Sequence, residues 1–464
     1  MSKLTAIVLA AGQGTRMKSS LSKALQPMCG KPLLEFVVEA ALEAGADEAV
    51  VVVGHQREAV TEQLARAFGE RVRTAVQDVQ RGTGHAVQCA LAALNSGTHS
   101  VLILCGDTPL LRALDLRALV SARDVGNLEL AMLTCRVADP TGYGRVLREA
   151  GRIIGIREHR DATEEERRNE EINPGVFCSR LDFLRGALAN LSPNNEQGEL
   201  YLTDIVTAAA KVSEVRGVAA PSETLAGVND RAQLAAAEEA MHVRIADRWR
   251  REGVTIRSGV KIDAGVVLEC DATLEHGVVL RGKTHIGARA FIDVGCVLED
   301  VLVGAGAKLL PYSVCSRSTL GEAARVGPFS HVRPDTAIGP EAHVGNFVET
   351  KNTVLHRGAK ANHLAYLGDG EIGEGANVGA GTIFCNYDGF QKHKTTIGPR
   401  AFIGSDSQLV APVTVGEGAY VATGTTVTKD VPADALALSR THQENKLGYA
   451  ARLRARLLAK AKRG

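Results

Sequence analysis

An α/β, Rossmann-like front half joined through a helix to a triangular parallel β-helix is the architecture this sequence predicts. Three observations predict it. Over residues 1–229, short apolar runs alternate with helical stretches; at 230–252, apolar residues recur at helical spacing; and over 253–464, aliphatic residues recur every six positions.

Composition sets the bounds. A chain of 464 residues holds two or three domains at about 150 residues each, every one able to bury a core. Hydrophobic residues at 45% and charged residues at 23% are those of an ordinary globular protein. A formal net charge of +1 supplies no global field, so neither nucleic acid nor a membrane surface is an expected partner. The nine cysteines (Cys29, Cys89, Cys105, Cys135, Cys178, Cys270, Cys296, Cys315, Cys385) form no C-x-x-C pair. That argues against a disulfide framework or a zinc site, and for a reducing, cytoplasmic compartment. The N-terminal apolar run reads as a buried first strand, because a glycine loop succeeds it in place of a cleavage site. No apolar run reaches the roughly 18 residues of a transmembrane helix.

In chain order, "TAIVLAAG", "EAVVVVG" and "SVLILCGD" read as buried strands, and "KPLLEFVVEAALEAG" and "TGHAVQCALAAL" as helices. This alternation predicts a mostly parallel sheet with helices on both faces. Ligands of such sheets bind beyond the carboxyl ends of the strands, so "AAGQGTR" and "CGD" are expected to share one crevice. Leu234, Ala237, Met241, Ile245 and Trp249 give the linker helix one apolar stripe.

The hexads come next. Ile256, Ile262, Leu268, Leu274, Leu280, Ile286, Ile292 and Leu298 form a first register; Val314, Leu320, Val326, Val332, Ile338 and Val344 a second; Ile397, Ile403, Leu409, Val415, Val421 and Val427 a third. A period of six fits neither helix nor flat strand. It fits a prism with one hexapeptide per face. Glycine after the aliphatic residue, as in Gly287, Gly339 and Gly404, is expected to ease a tight corner. The pattern breaks at "ETKNTVLHRGAKANHLAYLGDG" and at "AGTIFCNYDGFQKHKTT", and interruptions of a solenoid are where function tends to sit. The basic tail "AARLRARLLAKAKRG" reads as a solvated helix or frayed end, with a contact to an anionic ligand or surface as the alternative.

The stretch "LAAGQGTRM" has no Walker lysine and no third glycine. Its glycines let backbone N–H groups approach an anion, and a helix N-terminus just after it is expected to add partial positive charge. Arg16 and Lys23 supply full charges, and Asp107, at a strand end, is a suitable carboxylate for Mg²⁺. A G-x-G alone is equally a tight turn. In the second half, His363, Tyr366, Asn386, Tyr387 and Lys392 fall in the interruptions, with Arg333 and Lys351 near them in sequence. A base and cations of this kind suit proton transfer beside an anionic substrate.

The set "LAAGQGTRM…K", "QRGTGHA", "CGDTPL", "GYGRV", "EINPG", "GELYLTD" and "GVND" resembles the sugar-nucleotide pyrophosphorylases. With the hexapeptide half, nearly the whole chain resembles the bifunctional bacterial family that makes UDP-N-acetylglucosamine. The resemblance implies a nucleotidyltransferase domain, a linker helix and a left-handed β-helix. It implies uridylyl transfer from UTP to N-acetylglucosamine-1-phosphate and acetyl transfer from acetyl-CoA to glucosamine-1-phosphate. It also implies Mg²⁺ and a homotrimer with acetyl sites between subunits.

For the first reaction it implies that Asp107 and Asn229 hold the metal. Leu9, Ala10, Ala11, Gly12, Arg16, Lys23 and Gly106 bind UTP or UDP-N-acetylglucosamine, Arg16 and Lys23 offsetting charge on the departing pyrophosphate; Gln77, Gly82 and Thr83 read uracil; Gly142, Glu158 and Asn173 hold the sugar. From the residues alone, Glu158 also reads as a surface carboxylate and Asn229 as the cap of the linker helix. For the second reaction it implies His363 as general base, helped by Asn386. Arg333, Lys351, Lys392, Tyr366 and Asn377 would bind glucosamine-1-phosphate, and Ala380, Asn386, Tyr387, Ser405, Thr423 and Arg440 would bind acetyl-CoA. Gln13 and Thr423 depart from the family pattern, which has Lys and Ala there. A single-reaction nucleotidylyltransferase with a structural prism, and a non-catalytic scaffold, are the other readings; the intact loop residues speak against both.

Overall fold

A computed structural model describes residues 3–439 and 442–462. The chain divides into two compact units, Met1–Asp247 and Arg248–Gly464.

The first unit contains strands β1 (Lys3–Leu9), β2 (Pro27–Met28), β3 (Lys31–Pro32), β4 (Glu48–Val53), β5 (Val72–Val76) and β6 (Thr98–Cys105). After them come β7 (Leu130–Arg136), β8 (Gly144–Glu149), β9 (Arg152–Arg157), β10 (Glu171–Asn173), β11 (Phe177–Arg180) and β12 (Arg216–Ala219). Its helices are α1 (Leu33–Glu43), α2 (Arg57–Phe68), α3 (Thr83–Leu91), α4 (Ala113–Val125), α5 (Glu164–Arg167), α6 (Leu181–Ala189), α7 (Asp204–Val212) and α8 (Ser222–Leu225). Helix α9 (Arg231–Arg251) includes the point where the units divide.

Strands β5, β4, β1 and β6 lie parallel, as their helical crossovers require. The central strands are buried on both faces. Ala6, Val8, Val51, Leu102 and Leu104 pack with α1 and α4 residues such as Leu34, Val37 and Leu116. The alternate residues Ile7, Val50, Val52 and Ile103 pack with α3, α6 and α7 residues such as Val87, Leu184 and Ile205. This two-sided burial is what continuous apolar runs encode.

Beyond β6 the sheet is mixed, which corrects the mostly parallel expectation. β11 runs antiparallel to β6 and β7, and β10 antiparallel to β7 and β8. β8 and β9 form a hairpin through Ala150 and Gly151, both at positive φ (49° and 83°). Such short turns leave no room for a crossover helix, so the strands reverse.

The second unit is a β-helix of stacked parallel strands. Its first coils take 18 residues, as the pairing of Lys261 with Val279 shows. Coils then shorten to 17, as His285 pairs with Leu302. The inward slots therefore run Leu298, Val303, Leu309, Cys315, Leu320, and Val314 faces outward at 40% exposure. The assignment of Val314 to the core is thus corrected by one residue. The first supposed interruption is also ordinary coil: Glu349–Leu355, Lys360–His363 and Tyr366–Ile372 are strands. Thr350, Leu355, Ala361 and Leu367 fill its inward slots. The second is a true excursion. Ile383 pairs with Gln408, 25 residues on, and Tyr387 bridges to Lys392 across the protruding loop.

The corner glycines serve a purpose other than the one expected. Gly287 and Gly339 lack positive φ; a Cβ on either would meet the backbone of the next coil at 2.8 and 2.6 Å. They permit close stacking, while the left-handed turns fall on Arg289 and Glu341. The tail forms a helix, α10 (Tyr449–Ala461), with no buried residue among those described.

Candidate active sites

The loop after β1 and the "CGD" after β6 lie side by side, because Leu9 and Cys105 are paired at the strand ends and Gly106 N–H donates to Leu9 C=O at 2.9 Å. Gly14 turns the loop at φ 62°, and a Cβ there would meet Lys23 Cβ at 2.7 Å. Gly14 leads into a three-residue 3₁₀ turn, Thr15–Met17, not an α-helix. The expected helix N-terminus does not form at this loop, and side chains provide the positive charge.

Lys23 Nζ donates to Asp107 Oδ2 at 2.5 Å and to Asn229 Oδ1 at 3.1 Å, and Arg16 Nη2 donates to the same Asn229 oxygen at 2.9 Å. Val228 N–H donates to Asp107 C=O at 2.8 Å, which brings Asn229 to the strand end. The helix cap is Asp230, whose Oδ1 accepts from Gln233 N–H at 2.8 Å. Asn229 is thus not the cap, and its side chain serves the cluster.

Around this cluster lies a cleft of about 370 Å³ that includes Leu9, Arg16, Thr83, Asp107, Gly142, Glu158, Asn173 and Asn229. Glu158 is half-buried, with its Oε1 accepting from Thr203 Oγ1 at 2.9 Å. Desolvation pushes its pKa up. Burial, reinforced by Asp107, likewise pushes the Cys105 thiol up to about 12, so it adds no negative charge. Buried Gln77 donates through Nε2 to Gly82 C=O at 3.2 Å. Gly82, at φ 100°, has Leu200 O at 2.7 Å from any added Cβ. Gln80 Nε2 donates to Ala11 C=O at 2.8 Å and steadies the loop, a role its sequence position did not reveal. A larger cleft of about 860 Å³ between β9, α6 and α7 contains none of the residues singled out from the sequence.

On the β-helix, His363 is exposed and its Nδ1 lies 2.7 Å from Asn346 Oδ1. An amide oxygen accepts, so Nδ1 carries the proton and Nε2 is left as the basic nitrogen. Asn346 and His363 are paired on successive coils. The same edge continues upward: Gly381 N–H donates to His363 C=O, Asp406 to Ala380 and Gly424 to Ser405. Ala380, Ser405 and exposed Thr423 therefore stand in one column above the imidazole. Asn386 is not His363's partner. It donates to Asp369 Oδ2 and lies near Tyr366, since a Cβ on Gly368 would meet both side chains.

Arg333 Nη1 donates to Glu349 Oε1 at 2.7 Å, and the Lys392 ammonium, with Arg333, pushes the Lys351 pKa down. Three cations thus face one region. Tyr387 Oη donates to Gly389 C=O at 2.6 Å within the excursion. Loop amides of Gln391 and Phe390, with His393, hold Asp388 far below the usual carboxylate range. Asn377 lies in the same sheet as His363, paired with Lys360 and Phe402 on the neighbouring coils. Arg440 lies outside the described residues. Asn346 and Asp369 were missed from sequence; a 17-residue coil count back from His363 finds the first.

Oxygen acceptors gathered about an ammonium at strand ends suit nucleotidyl transfer, and an oriented imidazole on an exposed edge suits deprotonation of an amine. The fold is that of a two-domain transferase. Residues 6–169 match the MobA-like NTP transferase domain, and residues 394–429 match the bacterial transferase hexapeptide (six repeats). The chain is 62% identical over 466 residues to the bifunctional protein GlmU of Sorangium cellulosum (strain So ce56), covering 99% of this chain and 98% of that one. It is 51% identical over 456 residues to that of Anaeromyxobacter dehalogenans (strain 2CP-C), covering 97% and 93%. It is 44% identical over 451 residues to that of Acinetobacter baylyi (strain ATCC 33305 / BD413 / ADP1), covering 96% and 98%. The chain belongs to the bifunctional GlmU family. It is a uridylyltransferase and an N-acetyltransferase, and the two activities together make UDP-N-acetylglucosamine.

Proposed function

We propose that the two reactions run at two separate centres, one in each compact unit, and that the residues divide the work between them. In the first, an oxygen of N-acetylglucosamine-1-phosphate attacks the α-phosphorus of UTP in line, and pyrophosphate leaves. Leu9, Ala10, Ala11 and Gly12 present backbone to the phosphates beside Gly106. Arg16 and Lys23 offset charge on the departing pyrophosphate. Gln77 and the Gly82–Thr83 backbone read uracil, and Gly142, Glu158 and Asn173 hold the sugar. Asp107 and Asn229 would hold Mg²⁺. Their oxygens converge on one cationic nitrogen, and two hard oxygens suit that ion. When bound, it neutralises phosphate charge.

In the second, His363 Nε2 takes a proton from the ammonium of glucosamine-1-phosphate. The freed amine attacks the thioester carbonyl, and the CoA thiolate leaves and is protonated. Arg333, Lys351 and Lys392 grip the phosphate, and Tyr366 and Asn377 touch the sugar. Ala380, Asn386, Tyr387, Ser405, Thr423 and Arg440 line acetyl-CoA. A homotrimer accompanies this reading. Half-exposed Tyr312, Phe329 and Phe347 stack along the prism, centroids 5.5 and 5.6 Å apart, and a partner surface would cover such a ladder. The reducing cytoplasm is the compartment proposed, since the cysteines among the described residues form no disulfide with one another.

The observation that carries this reading is the presence of the two constellations in separately compact units. The test is a reciprocal pair of variants in the full chain. Asp107→Ala is expected to abolish pyrophosphate release while CoA release persists, and His363→Ala to do the converse. Loss of both activities in a folded Asp107→Ala protein would contradict two centres.

A further inference from the structure

Away from both centres, β2 and β3 form a hairpin whose tip is Cys29–Gly30. Both tip residues are left-handed, at φ 45° and 79°. A two-residue turn of this kind favours Asn, Asp or Gly at its first position. Cysteine there is strained, and strain of this sort is kept where a side chain has a task. The thiol is buried against α9: Cys29 is 1% exposed and His242 7%. Glu238 and His242, four apart on the helix, share a face. Sγ of Cys29 lies 3.6 Å from His242 Nδ1 and 3.8 Å from Nε2, and Cys29 N–H donates to Glu238 Oε1 at 3.1 Å. One donor atom from each of the three residues lies within 4.8 Å of the others.

We propose that Cys29, Glu238 and His242 form a binding site for a zinc-class divalent cation. Zn²⁺ bonded to sulfur at about 2.3 Å and to nitrogen at about 2.0–2.1 Å in a tetrahedron separates the two ligands by about 3.6 Å, which the Sγ–Nδ1 distance matches; Sγ stands almost as near Nε2, so binding turns the imidazole to aim one nitrogen at the ion. A thiolate and an imidazole select borderline metals over Mg²⁺ or Ca²⁺. One thiolate and one carboxylate neutralise a divalent ion, so the buried complex carries no net charge; the thiol proton passes to solvent on binding. Half-buried Glu238 gives the ion a way in, and water completes the fourth position. Cysteine spacing argued against zinc because the ligands lie far apart in the chain, Cys29 and Glu238 by 209 residues. The cation would fasten the hairpin just after Lys23 to the helix just after Asn229, bracing both flanks of the nucleotidyl centre.

Co²⁺ added to chelator-treated full-length protein tests this. The expected result is a sulfur-to-cobalt charge-transfer band saturating at about one equivalent, since one thiolate serves each site. It should persist in Cys89→Ser and Cys270→Ser and vanish in Cys29→Ser and His242→Gln. Zn²⁺ affinity should fall at least ~10-fold in the last two, a loss seen even for outer-shell partners. No band in the wild-type protein, or a band that survives Cys29→Ser, overturns the proposal. Should those two variants fail to fold, X-ray absorption of zinc-loaded Cys89→Ser/Cys270→Ser/Cys385→Ser protein decides. One sulfur at about 2.3 Å beside nitrogen and oxygen supports the site, and an all-oxygen and nitrogen shell refutes it.

Discussion

Replacing Asn346 by Ala removes the acceptor that fixes His363 without touching the imidazole. A neutral hydrogen bond contributes about 0.5–1.5 kcal/mol net. At 1.36 kcal/mol per decade that is about a 2- to 13-fold change in rate. The loss of a fixed tautomer adds to it, so the expected drop in kcat for acetyl transfer is about 10-fold. It stays far below the roughly 10⁴-fold penalty of neutralising a buried triad aspartate, because Asn346 is an uncharged amide at an exposed edge. KM for glucosamine-1-phosphate should hold, since none of the three cations takes part in this bond. CoA thiol release measures the effect, with pyrophosphate release as the control in the same sample. If Asn346 acts through His363, then Asn346→Ala in a His363→Ala background costs nothing more. A full additional loss in the double variant, or an equal fall in both activities, would refute the positioning role.

The geometry fixes three other outcomes. Glu158→Gln should raise thermal stability at neutral pH. Burial raises the folded pKa above 4.5, so the wild-type stability is complete below that value and lost as pH rises through the folded pKa. The variant's advantage in melting temperature should therefore grow from pH 4.5 upward; a constant gap would count against this. Gly14→Ala forces a left-handed residue and a Cβ onto Lys23. Uridylyl transfer should fall about 5- to 30-fold, from about 1–2 kcal/mol of backbone strain, with acetyl transfer unchanged. Lys392→Ala should raise KM for glucosamine-1-phosphate about 10- to 100-fold, the worth of a charge-assisted bond of about 1.5–3 kcal/mol, and an unchanged KM would remove Lys392 from the phosphate grip.

The meeting of the first loop with Asp107 was legible because both sit just past adjacent parallel strands: a glycine loop after β1 and an aspartate after β6 must meet when Leu9 pairs with Cys105. Asn229 was ambiguous until Asp230 was seen to cap the helix. The antiparallel half of the sheet was not legible, since a buried strand reads the same whichever way it runs. In the prism, aliphatic spacing marked most inward slots. It failed where Thr350 and Ala361 fill slots without being branched aliphatics, and where a coil sheds one residue so that Cys315 replaces Val314 inside. Asn346 was missed for the same reason: its link to His363 is one short coil, which only the pairing reveals.

The column above His363 acts as a ruler. Hydrogen-bonded neighbours in a parallel stack stand about 4.8 Å apart, so the three coils from His363 through Ala380 and Ser405 to Thr423 span about 14 Å. Lengths along this edge come only in whole steps. Were acetyl-CoA to lie along this edge, as proposed, its arm would have to match that number of steps, and inserting or deleting a single coil between them would change which acyl carrier fits.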